Sequence, residues 1–515
     1  MAKKKSHPAG EGKKGDLTRP TGLIPVDTYG GRVYIKWDQS GSLTPNGQLP
    51  FFIEFLKTGG VFDHWVKLCP MRFTSPNAPI TRDVLGTVLL SVLCGHTRYS
   101  HISGIRNDPV NAALLGMAKV VSEDAVRRSL RDNLSEQAGN YWLKKTLLDT
   151  YLPILGENWI LDVDTTIKTL YGKQEGSVVG YNHHKPGRPS HTYHSYMIAN
   201  LRLVLDVDVH AGNEHASKHT APGIWSLLSH LPRSCWPTFI RGDCGFGTDQ
   251  IMTECENLKL PYLFKLKKTK LVKDLVRHHM NKTNWLYVGH GWEGIESRLS
   301  LTGWEQKRRV VVLRRPLKKE VLLSRKNKDT RQMSLDFGEF ESFSKAYEYA
   351  VLITSLEDDI GIVTQHYRDR ADCENNFDEL KNHWGWCGFT TQDLKRTRFM
   401  AKIIALIYNW WTLFIRLITP HKHTEAITSR PLMLNAAGRQ TKHANQTQIT
   451  ICSTHAKAKV IYKKLAKISS FMKWVSRTAE QLTSIDRWCL ILSRALVKYL
   501  KGRVLKPPDL VLESG

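Results

Sequence analysis

From Asn158 onward the sequence turns to short apolar runs with strand spacing, and no other feature limits the fold as much. Trp159 to Asp164, Tyr193 to Leu203 and Val204 to Val209 read as strands. A helix at Ala221 to Leu231, a strand at Thr238 to Arg241, a helix at Thr248 to Leu258 and a strand at Tyr262 to Leu266 follow. Early strands succeeded by alternating helix and strand predict an α/β layout. Asp164 then falls on the first strand and Asp243 just after the fourth.

An acidic side chain inside an apolar strand is costly unless it is paired or binds a cation. Asp162 and Asp164, in Trp-Ile-Leu-Asp-Val-Asp-Thr-Thr, share a strand face because side chains alternate with period two, and either suits a ligand role. Asp206 and Asp208 repeat Leu-Asp-Val-Asp on another strand and are equal candidates by spacing alone. Tyr367 to Lys381 has neither Pro nor Gly and reads as one helix. On it Tyr367, Arg370, Glu374 and Lys381 fall within about 60° of one another, while Asp372 and Glu379 point away. A solvated helix face laced with i,i+4 charge pairs produces such a stripe too. Carboxylates from three separate elements, with no His/Cys framework, suit a hard ion such as Mg²⁺. A pair of such ions activates the attacking oxygen and stabilises the leaving oxygen in phosphodiester transfer.

Tyr367-x2-Arg370-x3-Glu374-x6-Lys381 resembles, at every position and spacing, the Y-R-E-K signature of the bacterial group-one DDE insertion-sequence transposases. Asp164-Thr-Thr and Gly-Asp243-Cys-Gly-Phe resemble the surroundings of that family's two aspartates, and the likeness runs from about Val84 to Trp411. Cys244 and the segment Gly180 to His194 depart from the pattern, and neither touches a presumed ligand. The resemblance implies a ribonuclease-H-like catalytic core in which Asp164, Asp243 and Glu374 hold two Mg²⁺ ions, with Mn²⁺ able to substitute. It selects Asp164 over Asp162 through the family's D-[ST]-T habit, and it demotes Asp206 and Asp208. Tyr367, Arg370 and Lys381 would position DNA phosphates. The implied activity is cleavage at element ends, through a hairpin, and strand transfer. Terminal inverted repeats and target DNA are the implied partners, with a homodimer in the DNA complex. A structure-selective nuclease of the same fold and a catalytically idle DNA-binding derivative are the rival readings.

Lys plus Arg number 74 against 48 Asp plus Glu, a net charge of +26, which calls for a polyanionic partner such as DNA or RNA. The most hydrophobic stretch, Phe399 to Thr419, contains Lys402, Asn409 and Arg416, so it reads as a buried helix and no membrane partner is expected. Nine cysteines without a single CxxC spacing argue against a zinc site and a disulfide framework. They fit reduced thiols and a cytoplasmic, nucleoid-associated location.

Residues 1–20 read as a flexible basic arm and 21–150 as a mainly helical DNA-binding region. There, Thr81 to Cys94 with Gly95 as C-cap, a short helix at Val110 to Leu115, and a Ser122-capped helix bearing Arg127, Arg128 and Arg131 are compatible with a helix-turn-helix. An ordinary helical surface explains these arginines equally well. The core occupies 151–270, is interrupted by a β-rich insertion at 271–355, and resumes at 356–420 with the catalytic helix and a packing helix. His421 to Thr454 reads as a polar linker within a helical C-terminal region, 421–515. In the insertion, Trp292 and Trp304 interleave with Arg308 and Arg309, a combination suited to stacking on an unpaired base and gripping phosphate. For any single tryptophan, filling the core of a small sheet is the plainer role. The basic loop Tyr181 to His194 is a further phosphate-gripping candidate.

Overall fold

In the computed structural model, residues 23–37, 40–180, 182, 185–213, 216–317, 347–478 and 482–507 are described. The basic arm at 1–20, Tyr181, His183 and His184 of the basic loop, and positions 318–346 of the insertion lie outside them. The described chain starts with a two-stranded sheet, β1 (Ile24–Thr28) and β2 (Gly31–Ile35), exposed on both faces. A short β3 (Leu43–Thr44) leads into helices α1 (Leu49–Gly59), α2 (Val61–Lys67), α3 (Thr81–Leu93), α4 (Ile102–Ile105), α5 (Pro109–Leu114), α6 (Glu123–Asp132) and α7 (Glu136–Leu155). Their ends follow local chemistry. The side chains of Asp108, Ser122 and Ser135 accept hydrogen bonds from the first turns of α5, α6 and α7. Gly95 and Gly116 take left-handed φ values of 79° and 69° just past α3 and α5.

The middle of the chain builds one sheet of ten strands. These are β4 (Ile160–Thr169), β5 (Val178–Val179), β6 (Pro189–Ile198), β7 (Leu203–Ala211), β8 (Phe239–Gly242), β9 (Tyr262–Lys265), β10 (Leu286–Gly289), β11 (Trp292–Leu299), β12 (Arg308–Pro316) and β13 (Tyr347–Thr354). Helices α8 (Ala216–Ser229) and α9 (Asp249–Asn257) connect β7 to β8 and β8 to β9, and α10 (Lys270–Met280) precedes β10. The spatial order is β10-β11-β12-β13-β9-β8-β4-β6, with β5 and β7 both pairing β6. Among the described residues of this sheet, only β4–β8 and β8–β9 are parallel. Parallel neighbours require a crossover, and α9 supplies it between β8 and β9. Because β13 returns antiparallel to β9, strands β10 to β13, which fall in the stretch expected to be an insertion, continue the same sheet.

Helices α11 (Ile360–Arg368), α12 (Ala371–Asn382), α13 (Leu394–Ile418), α14 (Ala426–Met433), α15 (Ala458–Arg477) and α16 (Ser484–Ala495) complete the chain, with β14 (Gly438–His443) and β15 (Gln446–Ile451) between α14 and α15. The 25-residue α13 is long and apolar enough to cross a membrane, yet it is buried in protein, packed on β7, α7 and α16. The polar stretch 421–454 is not the linker its composition predicts. It forms α14 and a hairpin turning at Ala444 and Asn445, both at positive φ, and β14 pairs with β3. The hairpin's strands are largely exposed and polar, so no apolar alternation marks them. One apolar core runs from Leu49 in α1 to Leu505, and a smaller cluster of Phe239, Leu263, Val311, Leu352 and Val363 lies under α11.

Candidate active site

Two carboxylates meet where the parallel strands β4 and β8 run side by side. Val163 is the register partner of Gly242, so Asp164 and Asp243 follow as neighbours at the carboxyl end of β8. A Cβ on Gly242 would come within 3.0 Å of Val163 and 2.9 Å of Phe246, so this close approach needs glycine. Asp243 Oδ1 accepts from the Gly245 N–H at 2.8 Å, an Asx turn that explains the Gly-Asp-Cys-Gly motif locally. Asp164 is buried; its Oδ1 accepts from the Thr165 N–H at 2.7 Å and its Oδ2 accepts from Arg370 Nη2.

Burial pushes the Asp164 carboxyl up to about 7, against the opposing Arg370 charge and with Asp243 adding to the rise. Arg370 is buried too; burial works against its charge, and Asp164 outweighs that and holds the guanidinium protonated. Its Nη1 also lies 3.5 Å from Glu374 Oε1, so one guanidinium bridges the strand carboxylate and the helix carboxylate.

The stretch Tyr367 to Lys381 is not one helix. α11 ends at Arg368 and α12 begins at Ala371, with a tight turn between in which the Arg370 N–H bonds to the Tyr367 carbonyl at 3.2 Å. The single stripe expected from periodicity is therefore broken after Tyr367. Arg370 and Glu374 still meet, one turn apart across the start of α12. Tyr367 is half-buried against the small cluster under α11, and burial holds its phenol well above the usual range. Lys381, half-buried near the end of α12, has its ammonium pKa lowered by burial, with Cys387 and Asp164 opposing.

Helix α12 is seated by Cys373, Asn376, Phe377 and Leu380, all buried. Glu379, on the opposite side from Glu374, accepts from Trp384 Nε1, pairs with His423 and caps α14 through the Ala426 N–H. It holds the helix in place and is turned away from the carboxylates. Glu374 itself is exposed, and among the described residues no three His, Cys, Asp or Glu side chains lie close enough to hold a metal ion as they stand.

The other predicted residues are spread over the molecule. Arg308 is buried, with its donors taken by Asp249, Glu256 and Thr253. Arg309 pairs with Glu296 and donates to the carbonyls of Leu356 and Asp358. Trp304 lies under the Arg308 guanidinium at 5.4 Å and Trp292 under that of Arg315 at 4.7 Å. Each of these tryptophans thus already stacks on an arginine of its own chain. On α6, Arg127 covers the Tyr99 ring, while Arg128 and Arg131 are exposed.

Inspection of the sequence missed the pairing of Asp162 with Arg241. The signal was present, since Arg241 precedes Asp243 by the same two residues by which Asp162 precedes Asp164. A basic residue at the matching place on a neighbouring strand is a ready counter-ion.

The sequence matches the family described as "Transposase DDE domain group 1" over residues 80–473. A comparison with curated proteins gives no match. Among solved structures, a piggyBac transposase synaptic complex with hairpin DNA is similar at a TM-score of 0.39 and 11% identity, over 91% of this chain and 87% of that one. Both values are low. The family match, by contrast, covers most of the chain together with Asp164, Asp243, Arg370 and Glu374, and the chain belongs to the group-one DDE transposases, enzymes that cleave DNA and transfer its strands.

Proposed function

We propose that this transposase cuts DNA at the ends of its element with Mg²⁺, forms a hairpin on the excised end, and joins the freed 3′-hydroxyl to target DNA. One observation carries the reading: Asp164 on β4 and Asp243 just past the end of β8 are neighbours, and Arg370 bonds to Asp164 and also reaches Glu374. The strand order β7-β6-β4-β8-β9, antiparallel and then parallel, supports a ribonuclease-H-like core. In this reading the core comprises 151–270 and 356–420, with 271–355 inserted and 21–150 and 421–515 flanking it.

The donor set fits a divalent cation. All three side chains offer hard carboxylate oxygens, and two of them already share a positive charge, that of Arg370. Asp164, Asp243 and Glu374 would hold two Mg²⁺ ions, with Mn²⁺ able to replace them. Bound there, such ions activate the attacking oxygen and stabilise the leaving one.

The chain's own groups supply position and charge. Arg370, kept protonated, has donors to offer a phosphate beside Asp164. Tyr367, kept as a phenol, can donate a hydrogen bond and is no base. Lys381, near the end of α12 and within charge reach of Asp164, adds a further cation. Arg128 and Arg131 lie on an exposed helix surface and serve phosphates away from the chemistry. The +26 charge supports extended DNA contact, two copies would handle the two ends, and the cytoplasm is the expected place of action.

The test incubates the full chain with duplex DNA from the sequence flanking its gene, with and without Mg²⁺. Nicks, hairpins and joined products are resolved on denaturing gels. Cleavage without joined products under any condition makes the chain a nuclease and removes the strand-transfer half of the reading.

A further inference from the structure

Behind the two active-site carboxylates lies a second charged pair, and we infer that it positions the end of α11, and with it Tyr367 and Arg370, for the reaction. Asp162 on β4 and Arg241 on β8 stand two residues before Asp164 and Asp243 and are register partners in the parallel pair. Asp162 therefore shares a strand face with Asp164, and Asp243 follows just past the end of β8. Both are buried, and the contact is bidentate, with Arg241 Nε 2.5 Å from Asp162 Oδ1 and Nη2 2.7 Å from Oδ2.

The third nitrogen reaches another element. Arg241 Nη1 donates to the carbonyl of His366, in the last turn of α11. In an uninterrupted helix that carbonyl would accept from the N–H of residue 370. Here the Arg370 N–H turns back to Tyr367, and Arg241 takes the carbonyl that the helix break leaves over. One guanidinium thus ties β4, β8 and α11 together immediately before Tyr367. The turn that aims Arg370 at Asp164 begins three residues after His366. A buried ion pair is often replaceable by apolar residues without loss of stability, so stability alone is a weak reason to keep one. An apolar pair cannot donate to the His366 carbonyl.

This inference rests on the active-site reading above, and its test separates the two. In the full chain, Asp162→Leu/Arg241→Met removes both charges at once. Arg241→Lys keeps the Asp162 partner but, as a point charge, cannot also span to His366 in the forked geometry. Both variants are expected to melt near the parent and to bind the flanking-DNA duplex with unchanged Kd. The double variant should cleave about 100-fold more slowly at saturating DNA and Mg²⁺, the loss that follows from displacing a positioned group by about 1 Å. The lysine variant should fall between it and the parent.

A folded double variant that turns over at the parental rate overturns the positioning role. So does failure of both variants to fold, since the pair is then a requirement of folding. Asp164→Ala and Asp243→Ala are run alongside. If they remain active, the active-site reading falls; if they are inactive while the double variant is fully active, only the positioning inference falls.

Discussion

Leu-Asp-Val-Asp occurs twice in this chain, at Leu161–Asp164 and Leu205–Asp208, and the two copies end in opposite electrostatic states. In the second copy, Lys402 from α13 lies 2.6 Å from Asp206 and 2.9 Å from Asp208, and Lys144 from α7 adds contacts of 3.1 and 3.6 Å. Two ammonium groups meet two carboxylates. Although burial opposes it, Lys402 and Lys144 hold the Asp208 carboxyl well below the usual range. In the first copy, Arg241 is committed to Asp162. Asp164 is left with Arg370 and with a second acid, Asp243, and its carboxyl rises to about 7. The fully compensated copy is a brace between sheet and helices. The under-compensated copy retains an appetite for positive charge, which is why the proposed chemistry is assigned to it.

The sharpest way to break this contrast is to remove one carboxylate from each copy. Asp164→Ala and Asp243→Ala should each lower Mg²⁺-dependent cleavage by roughly 1000-fold or more, because several kcal/mol of transition-state stabilisation would depend on the ions they are proposed to hold. DNA affinity in a filter-binding assay should stay near the parental value, since it draws on basic surface elsewhere. Asp208→Ala should leave cleavage by the folded protein within a few-fold of normal. Equal damage from Asp208→Ala, at a temperature where both variants are folded, would erase the distinction.

Stability should respond the other way round. Lys402→Met leaves the buried Asp206 and the half-buried Asp208 facing Lys144 alone and should cost about 3–5 kcal/mol in urea unfolding, as expected for breaking a buried pair. Turnover by the fraction that remains folded should hardly change. Asp164→Asn takes the main partner from buried Arg370 but leaves Glu374 in reach of it and removes a carboxyl whose ionised form the fold disfavours, so it should cost less than Lys402→Met.

The pH response sharpens the comparison further. The Asp164 pKa rises from 3.8 to about 7, so the native state holds this proton more tightly than the unfolded chain. Its contribution to stability is therefore fully present below 3.8 and is lost as pH climbs to about 7. A metal ion held by Asp164, as proposed, would compete with the same proton. Mg²⁺ affinity of the DNA-free protein, measured by calorimetry, should rise up to about 10-fold per pH unit below this point and level off above it. Asp164→Asn should remove that slope, while Asp208→Asn should leave it in place.

The smallest effect is expected at Trp304. Its ring already lies under Arg308 and packs against the main core, so Trp304→Ala should cost roughly 0.5–2 kcal/mol of stability. It should slow nicking and hairpin formation alike. A selective loss of the hairpin step would show instead that the ring leaves Arg308 to stack on a base.

The sequence by itself determined the elements and the places of the acids along them. Strand periodicity located β4, β8 and β9, Ser122 announced α6, and the spacing from Arg370 to Glu374 proved sufficient to bring them together. These are local properties, set by residues a few positions apart. Periodicity failed where local pattern was interrupted or silent, at the break between Tyr367 and Ala371 and in the polar hairpin β14–β15. Only the tertiary structure decided which acids are compensated. Arg241 lies 79 positions from Asp162, Lys402 lies 196 from Asp206, and Arg370 lies 206 from Asp164. No window of sequence contains both members of such a pair. Whether a buried carboxylate becomes a brace or a ligand depends on which distant cation the fold delivers to it, and on whether that cation is shared.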